Sequence, residues 1–236
     1  MEDKYATGVV PIGLSGKAGL VVPDKQILGP GELGATIEWY VREGINDPNG
    51  KITEHVGPRP SESFVKQFMD FLWMMFANIH PTQNMIPVID TGNVVRNVGY
   101  CSWTFDCIAL SGSILSGIVV GTGNTAPTNG DYALGNIIQH DSSPPTAGRM
   151  QYGTLTFGLP ANDASISQFT ITRNFANSSG GPITVNEIGL YVYNARGGAS
   201  PPNYYYFMTI RDVIVGGIAV PNGQTLTVNY RPQAVV

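Results

Sequence analysis

Several short motifs carry residue types that could do chemistry, and the first is an aspartate triplet. Asp90-Thr91-Gly92 matches the triplet of the aspartic proteases. That chemistry requires two carboxylates that share a proton. Asp106 nearby is not followed by Thr-Gly, so a second carboxylate would have to come from another copy of the chain. The flanking residues carry no protease-like pattern, and we predict that the triplet forms a turn.

A glycine-rich stretch, Gly121-Thr122-Gly123, follows a β-branched run and suggests a phosphate-binding loop. A dinucleotide site also needs a third glycine at the start of a helix, and an acidic residue about 20 positions later. Here position 126 is alanine, position 127 is proline, and no amphipathic helix follows. The stretch therefore predicts a strand that ends in a turn, with glycines at positive φ.

The remaining patterns give little basis for catalysis or for a cofactor. His55, His80 and His140 are far apart and show no metal-ligand spacing. No serine lies in a Gly-x-Ser-x-Gly motif. The paired carboxylates of a glycosidase would leave no spacing to detect. We therefore expect a protein that is not an enzyme and that binds neither a cofactor nor a metal.

The two cysteines, Cys101 and Cys107, are separated by strand-like residues. In an extended segment their side chains would lie about 20 Å apart, too far for a disulfide. We favour two small buried residues. A disulfide across a bend is the alternative.

The composition of the 236 residues is poor in charge and rich in turn formers. Charged residues make up 13%, with 29 glycines, 17 prolines and a net charge of −4. Such a surface of uncharged polar groups favours β structure with many turns, partly covered by other subunits. Phosphate binding draws on clustered Lys and Arg, so we expect no nucleic-acid partner.

One convincing helix is predicted at residues 61–79, with Ser61 as the N-cap and Pro81 beyond its end. It is apolar almost all round, although Lys66, Gln67 and Asp70 interrupt it and argue against a membrane span. A helix of this kind must be buried on nearly every face, either within its domain or between subunits. We therefore predict a homo-oligomer.

Residues 1–58 carry Gly and Pro at short intervals and are predicted to form an extended N-terminal arm. One strand-like run within it, 35–41, contains Trp39 and Tyr40. This run, or the C-terminal strand 225–230, could add to the sheet of a neighbouring subunit. Residues 59–236 form the remaining domain.

Strand patterns fill most of that domain and predict a mainly β fold, an antiparallel sandwich or jelly roll with one buried apolar helix. Phe169, Ile171, Arg173 and Phe175 alternate onto one face. A glycine-containing connection at 176–182 suggests a hairpin, across which Arg173 could pair with Glu187. The predicted strands are 85–89, 100–110, 114–120, 150–159, 168–175, 183–193, 204–213 and 225–230.

Several strings occur in a characteristic order over residues 61–236: SFVKQFMDFLWMMF, GIVVGTGNTAPTNGDYALGNIIQH, YGTLTF, FTITRNFANSSGGPITVNEIGLYV, MTIRDV and VPNGQTLTVNYRPQAVV. In this order the chain resembles structural virion proteins of tailed bacteriophages. The resemblance implies a component of the neck, tail, fibre or head surface, and brings no catalytic residues. It implies location in the virion after synthesis in the host cytoplasm, since Met1-Glu2-Asp3-Lys4 is unlike a secretory signal.

The expected function is that of a structural subunit that binds itself and other virion proteins. A carbohydrate- or receptor-binding β-sandwich is the alternative, because the cluster 204–207 could stack on a host surface glycan. In a strand at most half of that cluster faces one side. The predicted interface residues are Trp39, Tyr40, Phe68, Phe71, Trp73, Met75, Tyr204 and Tyr205.

Overall fold

The computed structural model describes residues 33–61, 64–80, 85–101, 104–142, 145–195 and 204–235. Its strands pair antiparallel and build a mainly β, sandwich-like fold with a single helix among these residues, which confirms the predicted fold class at this level. The elements are β1 (Leu33–Glu43), β2 (Ile52–Pro60), α1 (Lys66–Phe76), β3 (Ile86–Ile89), β4 (Val95–Val98), β5 (Gly117–Gly121), β6 (Gln151–Tyr152), β7 (Thr156–Phe157), β8 (Ala161–Asn162), β9 (Ile166–Gln168), β10 (Ile171–Ala176), β11 (Ile183–Ala195), β12 (Tyr204–Val220) and β13 (Gln224–Val235).

The larger sheet has eight strands and is centred on β1 and β13. These two strands pair without a register shift from Leu33↔Ala234 to Glu43↔Gln224. β2 lies on the other side of β1, and β10 lies on the other side of β13. The apolar residues of β1 and β13 alternate onto the core face, as the two-residue period of a strand requires; they include Ile37, Trp39, Val41, Leu226, Val228 and Tyr230.

The smaller sheet has the order β12-β11-β5, and a separate hairpin is formed by β3 and β4. β5 is buried along its whole length, which explains its run of Ile and Val. Two tyrosines join the sheets by hydrogen bonds. Tyr230 of β13 donates to the carboxylate of Asp212 in β12 at 2.7 Å. The Tyr152 hydroxyl of β6 accepts from the Val120 amide of β5 at 3.3 Å and donates to Ile138 O at 2.7 Å.

The predicted arm at residues 1–58 is wrong for the part that the structure describes. Residues 33–58 contribute β1 and most of β2 to the larger sheet, and β1 is hydrogen-bonded on both sides. β13 is also paired on both sides, so neither strand has an edge open to a neighbouring subunit. Residues 1–32 lie outside the described residues.

The helix is shorter than predicted and less buried. It begins after Val65 without a side-chain cap, because Ser61 instead donates to Asp212 at 2.8 Å. It ends at Phe76, and Asn78 follows with a φ of 48°. One face, Gln67, Phe71 and Met74, is buried against the domain.

Two further predictions about strands are wrong. Within the predicted strand 100–110, the described residues (100–101 and 104–110) form no strand, because Phe105 has a φ of 65° and Asp106 closes a tight turn onto the Ile108 amide. The 176–182 connection joins two sheets and is not a hairpin, because β10 pairs within the larger sheet and β11 within the smaller one. Arg173 and Glu187 are therefore not cross-strand neighbours.

Candidate functional site

An apolar cavity of about 500 Å³ opens between the two sheets beside helix α1. The larger sheet and the smaller sheet both supply lining residues, and Phe68 of α1 is part of the lining as well. Four apolar side chains at its mouth remain accessible to solvent: Leu33, Ile108, Phe157 and Phe169. The rest of the lining comprises Gly34, Phe64, Phe105, Asp106, Cys107, Ile171, Leu190, Val192, Thr209, Ile210 and Pro232.

The few polar groups of this lining have partners within the protein. The Thr209 hydroxyl donates to Leu190 O at 3.1 Å. The Asp106 carboxylate accepts from the Tyr193 hydroxyl at 2.7 Å and from the Ile108 amide at 2.9 Å. The cavity therefore favours an apolar occupant over a charged or strongly hydrogen-bonding one.

Cys107 is the one thiol in the described cavity lining, and its environment keeps it inert. Burial raises the pKa of its thiol to about 12, with the charge of Asp106 adding to the effect. The thiol is thus protonated at neutral pH. Cys107 and Cys101 are both free cysteines, and Cys101 donates to the Asn194 side chain at 2.8 Å. The preference for unbonded cysteines is confirmed, although Cys101 is only partly buried.

Phe105 makes most of the aromatic contacts in the cavity lining. Phe105, at positive φ, places its ring centroid 5.4 Å from that of Phe68 and 5.7 Å from that of Phe71. Phe71 in turn meets Phe207 of β12 at 4.9 Å, edge to face. These contacts fix the helix against the smaller sheet.

A second concave surface, of about 310 Å³, lies beside the first three residues of β12. The Tyr193 and Tyr204 rings meet edge to face at 5.5 Å, and Tyr206 lies on the same side. Tyr205 points to the opposite face, where the Arg96 guanidinium lies 4.5 Å from its ring centre. The tyrosine cluster is therefore divided between two faces, as strand geometry predicts.

The predicted interface residues fall into three groups. Trp39 and Phe71 lie in the core and present no surface to a partner, so their assignment to an interface is wrong. Phe68 lines the cavity, while Tyr40 and Tyr205 are half-buried. Three are exposed: Trp73, Met75 and Tyr204.

The aspartate triplet forms a turn, as predicted. The Asp90 carboxylate accepts from the Gly92 and Val94 amides, each at 2.9 Å, and from Arg96 Nε at 2.6 Å. These contacts close the β3–β4 hairpin and occupy both carboxylate oxygens. The Asp90 side chain is thus engaged in structure within its own chain.

The glycine-rich stretch does bind an anionic group, but that group is the side-chain carboxylate of Glu187 in the same chain. Gly123 N and Asn136 N donate to Glu187 Oε1 at 2.9 Å, and Gly135 N donates to Oε2 at 3.0 Å. A Cβ at Gly121 would lie 2.6 Å from the same carboxylate, which explains the need for glycine there. The amides that a phosphate would need are already used.

Arg211 completes this buried network. Its guanidinium contacts Glu187 Oε2 at 2.9 Å and Asp131 Oδ2 at 2.6 Å. Burial opposes protonation of Arg211, but the hydrogen bonds and charges of the two carboxylates outweigh it and raise the pKa of the guanidinium. The network joins the 122–136 loop to strands β11 and β12.

Arg173 is fully buried in a cage of carbonyl groups. Among the described residues it forms no ion pair, and its pKa is lowered to about 10 because burial disfavours the charged form. It remains charged at neutral pH, held 5.0 Å above the Tyr152 ring. Its guanidinium donates to five carbonyl oxygens at 2.7–3.2 Å: Leu110, Ser113, Ser116, Ile118 and Gly153.

Sequence reasoning missed both networks, although the buried arginine left a signal. An arginine at an inward position between Ile171 and Phe175 indicates a buried cation that needs oxygen partners. The partner assigned to it, Glu187, was wrong. The apolar cavity left no comparable signal, because its lining comes from eight separate parts of the chain.

No group of three or more His, Cys, Asp or Glu residues suited to a metal ion occurs in the described ranges. Within the same ranges, no helix has the length and apolarity needed to cross a membrane. Comparisons with protein family models, with curated proteins and with solved structures found no match to this chain.

Proposed function

We propose that this chain is a non-enzymatic structural subunit of a virus particle of the tailed-bacteriophage kind, which binds copies of itself and other virion proteins. The order of motifs over residues 61–236 supports the virion role, and so does the low charge of 13%. The proposed location is the virion, at the neck, tail, fibre or head surface, after synthesis in the host cytoplasm.

The observation that carries self-association is the outer face of helix α1. Met69, Trp73 and Phe76 follow one another at spacings of four and three residues, which places them on one face. They are 59%, 52% and 84% exposed. Large apolar groups that line up on one exposed face are typical of an interface, so we assign this face to contact with a second copy.

Introducing negative charge on this outer face of α1 is expected to dissociate the oligomer. The variant Trp73→Glu/Phe76→Glu should be monomeric at micromolar concentration, because two carboxylates would have to be desolvated in the contact. Light scattering measures the mass. The control Leu159→Glu/Val215→Glu alters two apolar residues that are 90% and 92% exposed elsewhere, and should leave the oligomer intact. A monomeric native protein, or an oligomer that survives the helix variant, would refute the assignment.

The second candidate function is recognition of a host surface glycan, and the tyrosine groove at Tyr193, Tyr204 and Tyr206 favours it. Exposed aromatic rings stack on the apolar faces of sugars and anchor interfaces. The half-exposed Tyr204 is the accessible ring of this groove.

On a glycan array, Tyr204→Ala is expected to abolish binding if the groove is the site. Tyr205→Ala is the matched control, because Tyr205 lies on the opposite face under Arg96 and should leave binding unchanged. Native protein that binds no glycan would remove this candidate. Equal loss in both variants would place the site elsewhere.

A further inference from the structure

We propose that the apolar cavity is a docking site for the segment of this chain that directly precedes β1, with Ile27 and Leu28 entering the cavity. This inference concerns the subunit itself and does not depend on the proposed role in a virion. It rests on the chemistry of the cavity, on the point where the chain meets it, and on the composition of the preceding residues.

The cavity lining is apolar and partly exposed to solvent. Leu33, Ile108 and Phe157 at its mouth are 66%, 55% and 49% exposed, and they surround a lining whose polar groups are already hydrogen-bonded within the protein. An occupant with aliphatic side chains would remove this surface from water, which is favourable in proportion to the apolar area buried. A charged ligand would find no unused partner in the lining.

The chain meets the described structure at the mouth of this cavity. Leu33 and Gly34, the first two described residues, both line it. Leu28 lies five residues before Leu33, and at about 3.3–3.6 Å per residue the intervening chain spans less than about 20 Å. Gly29, Pro30 and Gly31 lie between them, and these residue types favour turns.

The occupant is assigned to the same chain because of the tether. A segment held by a short linker has an effective concentration in the millimolar range, whereas a second copy competes at micromolar concentration. Ile27 and Leu28 are the apolar pair nearest to the cavity along the chain, and Leu20-Val21-Val22 provides a second apolar run.

Photo-cross-linking in the full chain tests the proposal directly. With benzoylphenylalanine in place of Leu28, irradiation should give cross-links to lining residues such as Ile108 and Phe169, mapped by mass spectrometry. A mixture of ¹⁴N- and ¹⁵N-labelled chains distinguishes the source, and links within one chain are expected. Phe169→Glu should reduce the yield several-fold, whereas the control Leu159→Glu, outside the lining, should not.

A second measurement tests whether the cavity is accessible to a small apolar dye. Ile27→Asp/Leu28→Asp should increase the fluorescence of anilinonaphthalene sulfonate several-fold, because the cavity would become accessible to the dye. The control Asp24→Asn/Lys25→Gln changes polar residues of the same segment and should have no effect. Links between chains would overturn the proposal in favour of a second copy. An absence of links to the lining, or an unchanged dye signal, would also overturn it.

Discussion

Replacing Glu187 with glutamine is expected to lower the free energy of unfolding by about 3–5 kcal/mol, the cost of breaking a buried ion pair from one side. Glu187 is fully buried and accepts hydrogen bonds from three backbone amides and from Arg211. Glutamine keeps the shape but removes the charge and turns an NH₂ group toward these donors. Arg211 would keep only Asp131 as a charged partner.

Urea denaturation monitored by circular dichroism measures this loss. Glu43→Gln is the matched control, because Glu43 is exposed at the end of β1 and its substitution should change stability by less than about 0.5 kcal/mol. The double variant with Arg211→Met should be less destabilised than the sum of the two single variants, since the pair is removed together. Loss of less than about 1 kcal/mol in Glu187→Gln would contradict the assigned role.

Replacing Arg173 with methionine is expected to destabilise the fold by at least about 3 kcal/mol, because each buried carbonyl group left without a donor costs about 1–3 kcal/mol. Five carbonyl oxygens accept from this guanidinium, four of them within residues 110–118 and the fifth at Gly153. Methionine has a similar length but no donor. Total stability is typically only about 5–15 kcal/mol, so a large drop in folded yield is expected as well.

Thermal unfolding of the purified variants measures this effect. Arg149→Met alters an exposed arginine and should unfold close to the native temperature. Arg173→Lys retains a cation with three donors and should fall between the native protein and Arg173→Met. This intermediate variant keeps the test informative if Arg173→Met does not fold. An Arg173→Met protein as stable as the native one would show that the cage contributes nothing.

The local features of the fold were predictable from sequence, because they depend on neighbours along the chain. The alternation of Ile171, Arg173 and Phe175 onto the core face is confirmed, and so is the turn at Asp90. The helix was placed correctly, but its start was wrong because Ser61 bonds to Asp212, a residue 151 positions away. The connection at 176–182 has hairpin composition, and only the sheet assignment of its flanking strands excludes a hairpin.

The candidate site was much less predictable. The sequence indicated that Cys107 is a small buried residue and that Phe68 is an interface residue, but not that both line one cavity. The reason is physical, since convergence of side chains from both sheets depends on long-range pairing that leaves no local pattern. Likewise, the interpretation of residues 33–58 as an arm failed because β1 finds its partner in β13 at the far end of the sequence.

The pairing of β1 with β13 also determines the order in which this protein can fold. Leu33 lies opposite Ala234, so the central pair of the larger sheet joins residues about two hundred positions apart. Closing so long a loop is entropically costly, and chains dominated by such contacts fold slowly. On the ribosome, β1 must remain without its principal partner until residue 235 has been added and has emerged. The larger sheet is therefore completed late, and the apolar face of β1 needs protection by other contacts until β13 is available.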